Sequence, residues 1–378
     1  MPEPSTSPAV TPPPRPRRSI LAWFGNIVAT TVVILSLLLN VIFFWAVGSA
    51  GEKSALAEKH QAGKPLSSNK IVIVRIDGVL MEGLTGYFRR QIAQAAEDAA
   101  VKAVVVRINS PGGTVTASDD IHKRLTLLRD GDPQKHTSPK PLVVSMGSIA
   151  ASGGYYIAMP ARTVLAERTT ITGSIGVYAS LPDATELSKK IGLSMRVIKD
   201  GDVKYSGSPF KEMTPHETQL WQDMVDHSYL QFLQVVEEGR PSLKGKLQQD
   251  ITVNKDVAIR SGKERSRHVE YTRYLADGGI FTSDQAKQHG LIDQIGYLDD
   301  AIDIARATAN LGDDYNAITY ERPISLLTTF LDINAQPPQA TLLDPERLAN
   351  AAVPRLWYLS AQADLSGILA AAGQKIKD

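Results

Sequence analysis

The stretch AVVVRINSPGG, residues 103–113, decides the fold, because an apolar run ends there in a turn of proline and two glycines. Short continuous apolar runs of this kind are typical of buried strands. Similar runs stand at Ile71–Ile76 and Pro141–Met146, and apolar residues at helical spacing lie between the runs at 88–99 and 118–128. Strand and helix therefore alternate, which predicts an α/β fold with a parallel sheet flanked by helices.

The later part of the sequence continues the pattern less regularly. We expect a helix to begin at 152–159, a strand at 193–198, a long helix at 215–237 and two short helices within 282–309. After Asp313 the periodicity fades and proline and glutamine appear.

Shifts in composition predict five segments along the chain. These are a disordered cytoplasmic tail at 1–19, a transmembrane anchor at 20–48, a linker at 49–69, a folded domain at 70–312 and a C-terminal extension of no assigned role at 313–378. The tail is rich in proline, serine and threonine, and the linker is polar, so neither can bury enough apolar surface to fold alone.

The predicted anchor has the length and flanks of a membrane-spanning helix. Its apolar centre, Ile27–Val47, has about 21 residues, enough to span the roughly 30 Å hydrocarbon core of a bilayer. Arginines at the end of the tail, 15–18, favour a cytoplasmic N-terminus and a domain outside the cytoplasm. A cleaved signal peptide ending near Gly48-Ser49-Ala50 is the alternative, although the apolar stretch exceeds a usual signal-peptide core.

Composition excludes several classes of function. The 41 Lys and Arg residues nearly balance the 40 Asp and Glu residues, and no basic face with interleaved aromatics indicates a nucleic-acid partner. The sequence has no cysteine, which excludes disulfides, a cysteine nucleophile and a cysteine-ligated metal.

Two glycine-rich turns carry the candidate chemistry. In NSPGG, residues 109–113, the backbone N–H groups can point into a cleft and bind an oxyanion or a phosphate, or the glycines can simply permit positive φ. In MGSIAASGGYY, residues 146–156, Ser152 lies where a strand is predicted to meet a helix. Such a serine is either a nucleophile with the Gly153 N–H beside it or a helix cap.

A nucleophilic serine needs a base, and none of the seven histidines has a motif-like context. A lysine can serve if its surroundings lower its pKa by about three units, which requires roughly 4 kcal/mol. Lys204, in the loop GDVKYSGSPF at 201–210, is the candidate, and an ordinary surface lysine is the alternative.

Five ordered motifs together resemble the signal peptide peptidase A family, in the Clp-protease/crotonase superfamily. The resemblance covers residues 70–310 and rests on residues 109–113, 146–156, 172–177, 201–210 and 280–302. It implies a Clp/crotonase-like fold of stacked β-β-α units.

The resemblance implies a Ser–Lys peptidase site without a metal or organic cofactor. Ser152 matches the nucleophile and Lys204 the general base, whereas Gly113 and Gly153 match the oxyanion-hole donors. Ser174 matches a hydroxyl that orients the lysine, with a simple turn serine as the alternative.

The family resemblance also implies a membrane-anchored serine endopeptidase of the bacterial inner membrane, with its domain on the periplasmic side. Its expected substrates are released signal peptides and unfolded chains, and its expected assembly is a ring-like homo-oligomer whose neighbours share each site. Two alternatives are a catalytically inactive membrane scaffold and a crotonase-type acyl-CoA enzyme. An external domain disfavours the latter, because CoA chemistry is cytoplasmic.

Overall fold

The structure, a computed structural model, describes residues 20–49, 55–258, 266–321 and 355–359. The chain divides into two compact units, 1–55 and 56–378. The first contains helix α1 (Ile20–Ser49). Within the described residues, Trp23–Ile42 is the one helical segment long and apolar enough to cross a membrane, by length and composition. The predicted tail at 1–19 lies outside the described residues.

The second unit alternates strands and helices. Its strands are β1 (Ala57–Gly63), β2 (Lys70–Asp77), β3 (Val101–Ser110), β4 (Gly112–Thr114), β5 (Leu142–Ala151), β6 (Thr163–Ala166), β7 (Ile171–Gly173), β8 (Tyr178–Ser180), β9 (Asp250–Ala258), β10 (Ser266–Tyr274), β11 (Ile280–Thr282), β12 (Gln294–Ile295), β13 (Asn316–Glu321) and β14 (Arg355–Leu359). Its helices are α2 (Gly86–Glu97), α3 (Val115–Asp130), α4 (Gly153–Tyr156), α5 (Thr185–Lys190), α6 (Pro215–Gly239), α7 (Ser283–Gln288) and α8 (Leu298–Thr308).

One mixed sheet forms the centre of this unit. Its main path, in spatial order, is β1-β13-β2-β3-β5-β6-β12. Off this path, β7 pairs in parallel with the C-terminal end of β5 and also pairs with β11. The pairs from β13 to β12 along this path are parallel, whereas β1–β13 and β7–β11 are antiparallel. The predicted α/β fold is confirmed.

The continuous apolar runs of the sequence arise because the sheet is covered on both faces. In β2, Val72 and Val74 belong to one core, and Ile71 and Ile73 to the other. Since neighbouring side chains of a strand point to opposite faces, a strand between two cores is apolar at every position. Helix α3 contributes to the first core and α8 to the second.

The folded domain extends beyond the predicted boundaries of 70–312 at both ends. β1 lies in the predicted linker and pairs with β13, which lies in the predicted C-terminal extension. β1 is an almost fully exposed polar edge strand, so backbone pairing rather than apolar burial holds it in place. An apolar pattern cannot reveal such a strand.

The strand predicted at 193–198 is wrong. The structure assigns this segment no strand, and its apolar residues are exposed, Ile198 by 96%. The pattern reflected an apolar surface rather than a buried strand.

Candidate active site

Ser152 lies in a strained turn between β5 and α4. Its φ is 55° and its ψ is −118°, a conformation that residues with a side chain rarely adopt. The Ser152 N–H donates to the Gly173 carbonyl at 2.8 Å, and the Ser152 carbonyl accepts from the Tyr155 N–H at 2.9 Å. The backbone is thus fixed on both sides, which presents the side chain at the end of β5.

The Ser152 hydroxyl is buried and makes no hydrogen bond with the described residues. The residue is 1% exposed, and Oγ has no hydrogen-bond partner among the described residues. A buried hydroxyl without a partner costs about 1–3 kcal/mol, so its retention calls for an explanation. The side chain forms no helix-cap bond, which removes the capping alternative. Because α4 has only four residues, a helix dipole adds little here.

Two glycines allow the NSPGG turn to approach Ser152 closely. Gly112 has a φ of 103°, and a Cβ there would lie 2.7 Å from the Gly153 nitrogen. A Cβ on Gly153 would overlap the Ser118 hydroxyl and lie 3.1 Å from the Gly112 Cα. Any side chain at either position would therefore separate the two turns.

Gly113 is needed because the turn packs against the backbone of Leu80. A Cβ on Gly113 would overlap the Leu80 carbonyl group. The Leu80 N–H donates to the Gly112 carbonyl at 2.8 Å, and the Thr114 N–H donates to the Leu80 carbonyl at 2.8 Å. These bonds fix the turn beside Ser152, with Gly113 between two anchored neighbours.

Ser174 lies on a second turn facing a cavity. Its φ is 52°, its N–H donates to the Gly279 carbonyl at 2.8 Å and its hydroxyl donates to the Gly278 carbonyl at 3.0 Å. Ser174 and Gly278 line a cavity of about 270 Å³. Since a hydroxyl that donates can still accept, Ser174 Oγ is free to receive a hydrogen bond from a lysine.

Lys204 makes no bond to this cluster within the described part of one chain. It is exposed, in a loop where its N–H donates to the Gly201 carbonyl at 3.2 Å. Its ammonium group makes no hydrogen bond or ion pair within the described part of the chain, and Ser152 Oγ has no partner there either. The structure thus brings together Ser152, Gly153 and Gly113, and within the described part of one chain it shows no hydrogen bond between Lys204 and Ser152.

Comparison with known proteins identifies the family. The sequence matches peptidase family S49 over residues 134–252 and 253–312. A protein named as a protease in Synechocystis sp. is 34% identical over 66% of this chain and 78% of its own length. The chain belongs to peptidase family S49. Membership of this family makes the protein a serine peptidase, as the resemblance implied.

Other relatives differ in length. A protein named as a signal peptide peptidase in Enterococcus faecium is 31% identical over 65% of this chain and 66% of its own length. Protease 4 of Haemophilus influenzae is 29% identical over 65% of this chain, but the match spans only 36% of that protein. Among solved structures, a point mutant of ClpP1 from Listeria monocytogenes matches 62% of this S49 chain and 95% of its own, at 13% identity and a TM-score of 0.33.

An aromatic cluster that the sequence did not predict joins four elements of the structure. The rings of Tyr156, Phe232 and Tyr358 pack with centroids 4.7–5.2 Å apart, and His122 lies edge-on to Tyr156 at 5.1 Å. Burial lowers the pKa of His122 to about 4, so this ring is neutral at physiological pH. The four residues come from α3, α4, α6 and β14, and no local spacing connects them.

Proposed function

We propose that this S49 protein is a membrane-anchored serine endopeptidase with a Ser152–Lys204 dyad. The observation that carries the proposal is the Ser152 hydroxyl, which is buried, unpartnered among the described residues and held in a strained turn beside two glycine turns. Strained backbone and unsatisfied buried hydroxyls are concentrated at catalytic sites. A nucleophile that awaits both substrate and base accounts for both features.

The proposed reaction is acyl transfer followed by hydrolysis. Ser152 Oγ attacks the scissile carbonyl carbon while Lys204 accepts the hydroxyl proton. Backbone N–H groups of Gly113 and Gly153 stabilise the oxyanion of the tetrahedral intermediate. The lysine then gives the proton to the leaving amine, and water hydrolyses the acyl-enzyme. Ser174 accepts a hydrogen bond from the lysine and orients it.

We propose further that Lys204 serves a neighbouring copy of the chain in a ring-like homo-oligomer. The segment around Lys204 exposes several large apolar side chains, which are Leu187, Ile191, Leu193, Met195, Val197, Ile198, Val203 and Phe210. A cluster of exposed apolar residues in one stretch of chain is typical of a protein interface. Docking of that stretch on a neighbour would bring Lys204 out of water and into an incomplete site.

The substrate class follows from the cleft and the anchor. An extended peptide can pair with strand edges beside the glycine turns, so unfolded chains fit better than folded ones. A candidate span at Trp23–Ile42 would place the site near a membrane surface. Together with the name of the Enterococcus faecium relative, this supports released signal peptides and other membrane-proximal unfolded chains as substrates.

The direct test of the nucleophile is labelling of the full-length protein in detergent with an alkyl fluorophosphonate. We expect one adduct at Ser152, located by peptide mass spectrometry, and none in the Ser152→Ala variant. Ser145→Ala is the matched control, because Ser145 is a buried serine on β5, the strand that precedes Ser152. Absence of an adduct, or an adduct elsewhere, would contradict the assignment.

The proposed topology is a single pass through the bacterial inner membrane, with residues 52–378 on the periplasmic side. The arginines at 15–18 and the uncharged segment that follows them motivate this orientation. In spheroplasts, external protease should remove a tag placed at the C-terminus. A tag that stays protected until the membrane is lysed would show the opposite orientation and contradict the proposed topology.

A further inference from the structure

A short turn after β10, residues 277–279, holds Ser174 in place. The Ser174 N–H donates to the Gly279 carbonyl at 2.8 Å, and the Ser174 hydroxyl donates to the Gly278 carbonyl at 3.0 Å. The Gly278 N–H donates in return to the Ile175 carbonyl at 3.1 Å. The backbone and the hydroxyl of Ser174 are therefore both positioned by the 277–279 turn.

The 277–279 turn has little support of its own. Two of its three residues are glycines, and Gly278 has a φ of 81°. Glycine loses more conformational freedom than any other residue when it is ordered. Asp277 carries the one side chain beyond a hydrogen, and its Oδ1 accepts from the Gly279 N–H at 2.8 Å. The carboxylate of Asp277 is thus the point at which another residue can hold the turn.

Arg273, near the end of β10, binds this carboxylate with two nitrogens. Its Nε donates to Asp277 Oδ2 at 2.8 Å, and its Nη2 donates to Asp277 Oδ1 at 2.5 Å. Its Nη1 donates to the Ile280 carbonyl at 3.0 Å. The guanidinium therefore bonds to the chain at both ends of the turn. A planar fork of donors can do this, whereas the single ammonium group of a lysine cannot.

The guanidinium fits here because residue 279 is a glycine. A Cβ on Gly279 would overlap Arg273 Nη2 and would lie 3.0 Å from Asp277 Oδ1. Arg273 Cζ also lies 4.0 Å from the ring centroid of Phe281, which adds a cation–π contact. The Arg273 side chain is 12% exposed and that of Asp277 is 23% exposed. The pair is thus better fixed than an ordinary ion pair at the surface, which contributes little.

The bond from Ser174 to Gly278 decides what the Ser174 hydroxyl can do. Its one proton is used by the Gly278 carbonyl, so toward any other group the hydroxyl is an acceptor. In the proposed mechanism the neutral amine of Lys204 donates one N–H to this oxygen, which directs the nitrogen lone pair. A displaced Gly278 carbonyl would let the hydroxyl rotate, and the direction of the lone pair would be lost.

We propose that Arg273 is a positioning residue of the peptidase reaction, which acts on the lysine through the 277–279 turn and Ser174. It touches no reacting atom, and the inference rests on the proposed roles of Ser174 and Lys204. The alternative is an ion pair that stabilises the fold alone. The two differ in their effect on kcat and on the local order at Ser174.

Peptide turnover by the full-length protein in detergent measures the effect on the reaction. Arg273→Met removes the fork of donors and keeps an apolar stem beside Phe281. We expect kcat to fall about tenfold to hundredfold with little change in KM, since a misplacement of about 1 Å can cost about 10²-fold. Arg273→Lys keeps the charge without the fork and should recover only part of this loss. Full recovery with lysine would overturn the inference, because charge alone would then suffice.

A double-mutant cycle shows whether Arg273 acts through Ser174. If it does, Ser174→Ala/Arg273→Met should be at most about threefold less active than Ser174→Ala alone, because the hydroxyl to be positioned is already absent. Effects of two independent residues would instead multiply. A double variant that shows the full product of the two single losses contradicts the inference.

Amide hydrogen exchange, measured by mass spectrometry well below the Tm, tests the turn without relying on catalysis. Arg273→Met should increase the exchange rate of the peptide that contains Ser174 by at least about tenfold, because the Ser174 N–H loses a fixed acceptor. Unchanged exchange overturns the inference. If Arg273→Met does not fold, Arg273→Lys is measured in the same way, with a smaller increase expected and unchanged exchange as the contrary result.

Arg124→Met is the matched control. Arg124 on α3 donates to Asp120 at 2.9 Å, and these two residues are four apart in sequence, as are Arg273 and Asp277. This variant should keep wild-type turnover and wild-type exchange at Ser174. Equal losses in the Arg124 and Arg273 variants would indicate a general effect of a lost ion pair and overturn the inference.

The outcomes separate this inference from the proposed function. If Ser174→Ala is impaired while Arg273→Met turns over peptide at the wild-type rate, the inference fails and the proposed function stands. If the wild type cleaves no peptide, the proposed function fails and hydrogen exchange decides the inference. Faster exchange in Arg273→Met then upholds the control of Ser174 by Arg273, and unchanged exchange removes it.

Discussion

Substitution of Ser152 by alanine is expected to reduce peptide cleavage by about 10⁴-fold or more, since a nucleophilic serine acts as a unit with its base and its loss removes most of the catalysis. The same substitution should leave the domain folded and slightly more stable. Ser152 Oγ is buried without a partner among the described residues, so its removal deletes a desolvation penalty of about 1 kcal/mol or more and breaks no hydrogen bond there.

Ser145→Ala is again the matched control, with the opposite expected pattern. Ser145 is buried on β5, the strand that precedes Ser152, but its hydroxyl accepts a hydrogen bond from Arg107 at 2.8 Å. Its loss should cost about 1 kcal/mol of stability and leave cleavage near the wild-type level. Both variants are compared with the wild type by peptide turnover and by thermal unfolding of the full-length protein in detergent. Turnover by Ser152→Ala at the wild-type rate would remove Ser152 from the mechanism.

The sequence predicted the centre of the sheet because burial on two faces leaves a strong local signal. β2, β3 and β5 are buried at most positions and contain continuous apolar runs, and the turns that follow β3 and β5 contain the glycines that close packing requires. Because such strands can be located in the sequence, the residues at their ends can be located as well. Ser152 and Gly153 could therefore be singled out before their geometry was known.

The parts that the sequence did not predict depend on pairing between distant segments. β1 is polar and exposed and is held by β13, more than 250 residues later. β13 is buried at five of its six positions, but its sequence, NAITYE, has no continuous apolar run that would mark it. The aromatic cluster of His122, Tyr156, Phe232 and Tyr358 combines residues from four elements. β14 has only five residues, and its partners are short strands far away in the chain. Local periodicity contains no information about such contacts.

The position of Lys204 gives the second large prediction, which concerns how the site is completed. Its loop is exposed, and the Ser152 hydroxyl has no partner within the described part of one chain. A hydrogen bond between base and nucleophile needs a separation of about 2.6–3.2 Å. If a neighbouring copy supplies the lysine, an apolar and water-poor interface would also favour the neutral amine that a general base requires.

Mixing two inactive variants should therefore restore activity. Full-length Ser152→Ala and Lys204→Ala proteins, each expected to be inactive alone, are combined in detergent under conditions that allow subunits to exchange. Some interfaces in the mixed assemblies then join an intact serine to an intact lysine, so a fraction of wild-type turnover should return.

Lys204→Arg serves as the control for charge in the same experiment. Arginine keeps the positive charge but cannot lose its proton at working pH, so this variant should be as inactive alone as Lys204→Ala. Mixed with Ser152→Ala it should recover activity to a similar degree, because the recovered sites contain the lysine of the Ser152→Ala subunit. Exchange is verified by energy transfer between differently labelled subunits. Confirmed exchange without any return of turnover would show that Ser152 and Lys204 do not meet across an interface.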